Sequence, residues 1–223
     1  MHPRAVVAKA VKEGLDLIAV CDHNSSENIP YVINAARKEN LHVLPGMEVT
    51  TSEEVHILAI FDSLDNLNKL QKIVYEHLPG ENDERRFGVQ AVVNENGEVE
   101  CISKKLLIGA TALSIDKLLN LIHEFHGLAV AAHIDRESFS VLSQLGFVDE
   151  KIKFDALEIT PATGFQQARI KYKELSSYSF IISSDAHFLK DIGTAMTKVL
   201  LRNASLTELK MAFTGQNGRH VLE

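Results

Sequence analysis

Asp22, His23, Glu48, His133, Asp185 and His187 each sit where a short apolar run ends, and His56 opens a further run. Imidazoles and carboxylates together are the ligand types of hard and borderline divalent ions such as Zn and Mn. A metal gathered from such residues polarises an oxygen and activates water, so the chemistry they point to is metal-assisted hydrolysis. Competing chemistries lack their signatures: there is no Gly-x-Ser-x-Gly elbow, no P-loop and no glycine-rich dinucleotide fingerprint. With only Cys21 and Cys101 in the chain, and these unpaired in sequence, the composition argues against a structural zinc knuckle.

These residues are far apart in sequence, so the elements must bring them together. Pro3 is placed at the start of a helix carrying Val6, Val7, Ala10 and Val11, and Gly14 is placed to end it. Leu15 to Cys21 is an apolar run of strand length that delivers Asp22-His23-Asn24. A helix from Ile29 to Glu39 follows, then a short strand His42 to Leu44 before Pro45-Gly46-Met47-Glu48. Val55 to Phe61 reads as a strand and Asp65 as the cap of a helix to His77. Between Pro79 and Ser114 the rhythm breaks. Two short strands there flank Asn94-Glu95-Asn96-Gly97, an inserted hairpin near residues 88–103.

Ser114 caps the next helix, Gly127 ends it, and Leu128 to His133 is a strand. A helix near Ser138 to Leu145, a strand Ala156 to Thr160, a helix Phe165 to Leu175 and a strand Phe180 to Ser184 continue the alternation. Lys198 to Arg202 and a helix from Leu206 to Phe213 complete it. Alternating strands and helices imply an α/β fold of parallel strands, with sites where the strands reach their C-terminal ends. His56, at the start of its run, fits that rim only if its strand begins later than its apolar pattern does.

Each residue also has a structural reading when taken alone. His133 fits a hydrogen-bonded core histidine, Asp22-His23-Asn24 a helix-capping turn, Asp185-Ala186-His187 a turn with a surface histidine, and Glu48 a solvated loop acid. What separates the functional reading is their joint placement on one rim. Glu158, also at a strand end, is either an acid supporting a ligand or a core-paired carboxylate. His123 and His126 lie at a helix end, where they complement the helix dipole. His2, His42, His77 and His220 read as surface or terminal residues.

The composition, 45% apolar and 24% charged over 223 residues, is that of an ordinary globule long enough for one α/β domain spanning 1–223. A formal charge of −7 weighs against duplex DNA and leaves a small anionic substrate acceptable. No apolar stretch reaches membrane-span length, Met1-His2-Pro3-Arg4 does not open a signal peptide, and Cys21 lies inside an apolar run. The expectation is a cytoplasmic chain with no membrane partner.

Val20-Cys21-Asp22-His23-Asn24, Gly46-Met47-Glu48, His56, Ala132-His133 and Ser184-Asp185-Ala186-His187, in that order, resemble the PHP (polymerase and histidinol phosphatase) superfamily of metal-dependent phosphoesterases. The chain is most similar to the branch that includes nucleoside 3′,5′-bisphosphate phosphatases and 5′-3′ exonucleases. The resemblance implies a distorted seven-stranded (β/α) barrel with up to three divalent ions, Zn, Mn or Fe. It implies hydrolysis of a phosphoric monoester, a nucleoside bisphosphate or a short oligonucleotide end, by a metal-activated water. Glu48, His56 and His133 would hold one ion, Glu48 bridging to a second on Asp185, with His23 and His187 on the third. Asp22 would orient a ligand or water, and Arg136 would clamp phosphate through its fork of donors.

In one respect the chain departs from this pattern. The family opens on a strand carrying His-x-His, and nothing before Pro3 supplies it. The resemblance then implies a barrel lacking its first strand, fewer ions, and weak turnover by these 223 residues. The alternatives are a non-catalytic metal- or ligand-binding module on the same barrel, and a metal-dependent amide hydrolase.

Overall fold

The structure, a computed structural model, describes residues 1–149 and 151–223. Helix α1 (Pro3–Lys12) leads into strand β1 (Leu17–Val20) and helix α2 (Ile29–Ala36). Strands β2 (His42–Thr50) and β3 (His56–Ile60) precede helix α3 (Leu64–His77). The insertion comprises helix α4 (Glu84–Phe87), β4 (Ala91–Val93) and β5 (Val99–Ile102). Then follow α5 (Ile115–Glu124), β6 (Leu128–Ala131), α6 (Val141–Leu145), β7 (Ala156–Ile159), α7 (Gly164–Lys171) and β8 (Phe180–Ile182). The chain finishes through β9 (Lys198–Leu200), α8 (Leu206–Phe213) and β10 (His220–Leu222).

Six strands form one curled sheet, a half-barrel in the order β1-β2-β3-β6-β7-β8, while β9 with β10 and β4 with β5 form separate pairs. The expected α/β barrel class therefore holds, with two differences in strand geometry. β2 does not stop at Leu44. It pairs with β1 in parallel as far as Pro45, then turns antiparallel to β3 from Gly46 onward, changing partners at the Pro-Gly step. Gly46 is required there, because a Cβ would fall 2.5 Å from Cys21 Sγ and 3.0 Å from the Val20 carbonyl. Glu48 is consequently a residue inside a strand rather than in the loop after one. β3 is antiparallel to both neighbours, β2 and β6. Its first residue, His56, thus lies on the rim where the parallel strands end, and no shift of its boundary is needed to put it there.

At β3, β6 and β7 both faces of the sheet are covered, which explains why these strands read as nearly continuous apolar runs. In β3, Ile57 and Ala59 join the core with Leu67, Leu70 and Val74 of α3 and Leu118 and Ile122 of α5. Leu58 and Ile60 face the other way, toward a cluster with Leu206, Leu209 and Phe213 of α8. Each fully buried side chain of this size contributes about 1.5–3 kcal/mol of transfer free energy. α5 buries Ile115, Leu118, Leu119 and Ile122, the one-face spacing expected of an amphipathic helix. α1, α2 and β2 share a smaller cluster built on Val6, Val7, Val32 and Val43, with Ile18 and Val20 of β1 packed against it.

Several local expectations are met: Pro3 starts α1, Gly14 lies just past its end at φ +71, and Ser114 caps α5. Others change. Ser63, not Asp65, caps α3, accepting from the Asn66 amide, because its extended backbone aims the hydroxyl back at the first turn. Gly127 does not supply the left-handed residue after α5; His126 takes that position at φ +62. Gly127 is instead a packing requirement, since a Cβ there would meet the Phe61 ring at 2.5 Å and Ile122 Cγ2 at 2.9 Å. β10 pairs antiparallel with β9, a pairing that carries no signal in the local pattern.

β1 and β8 are the edges of the curled sheet. One cavity of about 760 Å³ is lined by residues of both, with Leu58 and Ile60 from its inner face and Val89 to Val93 of the insertion.

Candidate metal centre

β1 hands its ladder on to the loop that follows: Asn24 N–H donates to the Glu48 carbonyl at 2.8 Å, and Glu48 N–H to the Asp22 carbonyl at 3.1 Å. This places His23 beside Glu48 on β2. From β3, His56 approaches the same carboxylate, and from the end of β6 so does His133. The Glu48 carboxylate, on a residue 5% exposed, has His23 Nδ1 3.2 Å from Oε2 and His56 Nδ1 3.1 Å from Oε1. His133 Nε2 lies 3.6 Å from Oε1. The imidazoles of His23 and His56 are 5.2 Å apart, those of His56 and His133 5.3 Å, and those of His23 and His187 6.0 Å.

These nitrogens are close to the carboxylate without the alignment of hydrogen bonds. Nδ1 of His23, His56 and His133 is buried and has no hydrogen-bond partner. Buried polar atoms are ordinarily satisfied, so several orphans around one carboxylate make a site rather than a core. His23, Glu48 and His56 can bring their ligand atoms within 4.8 Å of one another, the spacing of ligands around a single ion. The donor set therefore fits a divalent metal.

The electrostatics agree. Burial drives the Glu48 carboxyl upward, but the contacts of His133 and His56 and the charges of His56 and His23 outweigh it. The group ends well below the usual carboxylate range. Burial lowers the His23 imidazole, with Glu48 opposing, which favours the neutral form that binds metals. The Cys21 thiol beneath is raised by burial and then by Glu48, Asp22 and Glu158, and stays protonated. Burial also raises Glu158, against hydrogen bonds from Ser183 Oγ and the His133 amide, the latter at 3.0 Å. Glu158 thereby fixes the backbone at His133.

Asp22 stands beside this group rather than in it. Asn28 Nδ2 donates to its Oδ2 at 3.0 Å, and Asn28 Oδ1 accepts from the Val93 amide at 3.0 Å, joining Asp22 to the inserted hairpin. Burial raises the Asp22 carboxyl, with Asn28 opposing. Asp185 is drawn the other way: Arg136 Nη2 lies 2.6 Å from its Oδ2, while His187 Nδ1 is 3.9 Å from Oδ1. The structure thus brings His23, Glu48, His56 and His133 into one group, puts His187 at its rim, and couples Asp185 to Arg136.

Three residues support the group; Phe139 and Asn28 carry no local sequence signal that singles them out, while Asn24 lies in the Asp22-His23-Asn24 motif. Phe139 stacks on His56 at 4.6 Å between ring centres, with 16° between planes, and its carbonyl accepts the His56 amide at 2.9 Å. Asn24 Nδ2 donates to the carbonyls of Leu107 and Gly109, both at 2.8 Å, and its Oδ1 accepts from the Thr50 amide. Asn28 is the third. The backbone around the site is strained: Asn24, His133, Phe139 and Asp185 hold φ of +48, +30, +56 and +42. Such outliers persist where the surrounding structure over-determines them, and they concentrate at functional sites.

Among the described residues no helix is long and apolar enough to cross a membrane. A model of the PHP domain family matches residues 1–183. A protein described as uncharacterized, YqxK of Bacillus subtilis (strain 168), is 29% identical over 117 residues, 50% of this chain and 29% of that protein. The lesion-specific endonuclease PfuEndoQ from Pyrococcus furiosus superposes with a TM-score of 0.74 at 17% identity, covering 99% of this chain and 53% of that one. Endonuclease Q bound to a 27-mer duplex with an abasic lesion at its active site gives 0.73, with the same identity and coverage. A Bifidobacterium adolescentis protein assigned as a metal-dependent phosphoesterase gives 0.58 at 16% identity, covering 87% and 86%. At these identities the likeness is one of fold, and the chain spans only about half the length of the endonuclease and less of YqxK. The expectation against duplex DNA draws no support from these neighbours, one of which holds a duplex. Match and fold agree with the histidine-carboxylate rim, and the chain belongs to the PHP domain family.

Proposed function

We propose that the chain is a phosphoesterase whose divalent ion is held by His23, Glu48, His56 and His133. The observation that carries this reading is the buried Glu48 carboxylate, with the unpartnered Nδ1 atoms of His23 and His56 at 3.2 and 3.1 Å and His133 Nε2 at 3.6 Å. When bound, such an ion supplies Lewis acidity toward a phosphoryl oxygen. The chain's own residues do the rest. Glu158 and Phe139 hold His133 and His56 in place, and the neutral His23 is ready to bind. Asp22, oriented by Asn28, faces the cavity as an acceptor for a water or a substrate hydroxyl. Arg136 stands at the rim with a fork of donors suited to phosphate.

No Lys or Arg is among the described residues that line the cavity. A phosphate entering it must have its charge met by the metal centre and by Arg136. The substrate is accordingly a phosphoester presented end-on, a nucleotide monoester or a strand terminus. The endonuclease Q neighbours add weight to a polynucleotide phosphodiester as the further substrate class. The alternative of a non-catalytic ligand-binding module on the same scaffold is separated by turnover.

The test is phosphate or nucleotide release from nucleoside 3′,5′-bisphosphates, oligonucleotides and abasic duplex, with Mn(II) or Zn(II) and with chelator. Metal-dependent release that Glu48→Gln abolishes is expected. Metal binding without turnover of any of these substrates would leave the binding-module alternative.

A further inference from the structure

The cavity of about 760 Å³ has room for more of a substrate than its phosphate. Leu58, Ile60 and Ile181 give it an apolar wall, while the loop after β1 and the insertion give it a wall that carries polar groups. Most of the polar side chains on that second wall are already spent. Gln90 donates to the Ser103 and Lys105 carbonyls and accepts from the Leu107 amide, and Asn28 is taken up by Asp22 and Val93. Glu27 is the exception. Its Oε2 accepts from the Tyr75 hydroxyl at 2.8 Å, its Oε1 has no partner among the described residues, and no Lys or Arg lines the cavity beside it.

The half-buried Glu27 carboxylate is also held in one orientation. Tyr75, on α3, is braced by Ser25 Oγ at 3.3 Å from its hydroxyl and by Lys105 Nζ, which donates to its carbonyl at 2.6 Å. Burial pushes the Tyr75 hydroxyl up to about 12, so it stays protonated and donates. The hydrogen bond between Asn28 and Asp22, at 3.0 Å, closes the loop on itself and brings Glu27, the residue before Asn28, back toward the metal group. A phosphate held at that group leaves the part of the substrate bonded to it, the sugar, against this wall.

We propose that Glu27 is a specificity-determining residue that accepts the 2′-hydroxyl of a ribonucleotide whose phosphate lies at the metal centre, so that the chain prefers ribonucleotide to deoxyribonucleotide substrates. The inference rests on the phosphoesterase reading above. A carboxylate is an acceptor only, and one left short of donors in a half-buried site favours the ligand that supplies a donor. The 2′-hydroxyl is the donor that a ribonucleotide has and a deoxyribonucleotide lacks. A site built around such a hydroxyl rejects the analogue without it, because the acceptor is then desolvated and unpaired. Tyr75 acts through Glu27 and is a positioning residue.

The test is kcat and KM, with Mn(II), for adenosine 3′,5′-bisphosphate against its 2′-deoxy counterpart and for a ribo-oligonucleotide against the deoxyribo-oligonucleotide of the same sequence. Melting curves and metal content show that each variant is folded and loaded. Wild type is expected to favour the ribonucleotide by about ten-fold or more in kcat/KM, the worth of one hydrogen bond to a charged acceptor. Glu27→Ala should bring that ratio close to one, chiefly through a higher KM for the ribonucleotide, and Tyr75→Phe should lower it part of the way. A wild-type ratio near one, or a preference that Glu27→Ala leaves intact even as it slows both substrates equally, overturns the proposal and leaves the phosphoesterase standing. Absence of metal-dependent release from all four substrates overturns the phosphoesterase reading and the proposal with it.

Discussion

Two buried clusters of charge in this molecule are built from similar residues and do opposite things. Away from the rim, Arg219 donates to both oxygens of Glu208 at 2.8 and 2.9 Å, the Arg202 amide donates to Glu208 at 2.7 Å, and Arg219 also reaches the Asn217 carbonyl. Each group there is matched, and the pair ties α8 to the β10 segment. At the rim, the Glu48 carboxylate has three imidazoles around it whose Nδ1 atoms have no partner. Buried charge that is fully paired is a staple; buried charge left short of partners, on strained backbone, is a site awaiting a ligand.

The contrast breaks first under truncation. Arg219→Ala strands Glu208 among apolar neighbours and should lower the melting temperature by several degrees, the largest fall of any single change discussed here. Glu48→Gln, without metal, should cost far less, and it should lose the stabilisation that metal confers on wild type. At a hundred-fold excess over Kd that stabilisation is about 2.7 kcal/mol. Equal metal stabilisation of both proteins would show that Glu48 is no ligand.

Phe139→Ala sharpens the comparison on the rim. The side chain is 39% exposed, so little core is lost, but His56 loses its stacking partner. Metal affinity should fall several-fold with a melting temperature nearly unchanged; a large thermal loss with intact affinity would make Phe139 a packing residue.

The smallest effect is in the pH dependence. Arg219 hydrogen bonds hold Glu208 at about 2, below its usual value near 4.5. Its contribution is complete above pH 4.5 and is lost as pH falls toward 2, so Glu208→Gln should flatten that acid limb. His23 is also lowered, chiefly by burial. The folded state refuses a proton that the unfolded chain accepts near pH 6.5, and stability should begin to decline as pH falls below that value. His23→Asn should remove this upper limb and leave the lower one.

Much of the fold was legible because its signals are local. Pro3 and Gly14 bound α1, Ser114 caps α5, and Asn94 to Gly97 turn the hairpin, each through chemistry confined to one turn. The misreadings came from relations that no window contains. The Pro45-Gly46 step has the local pattern of a stop, and it is where β2 trades β1 for β3. Gly127 has the local pattern of a helix end, and its role is to admit the ring of Phe61, the residue that follows β3. Phe139 carried no signal, since its importance lies in touching His56, 83 positions away in sequence.

From residue types alone, the chain determined that it would gather imidazoles and carboxylates at strand ends and what chemistry those groups suit. Ligand type is a property of a side chain and travels with it. Only the tertiary structure decided which of them meet: β3 runs against its neighbours and so carries His56 onto the rim, His23 crosses to Glu48, and Arg136 closes on Asp185. Strand direction and side-chain pairing are set by long-range packing, in which every partner's position depends on all the others, and no local stretch of sequence encodes them.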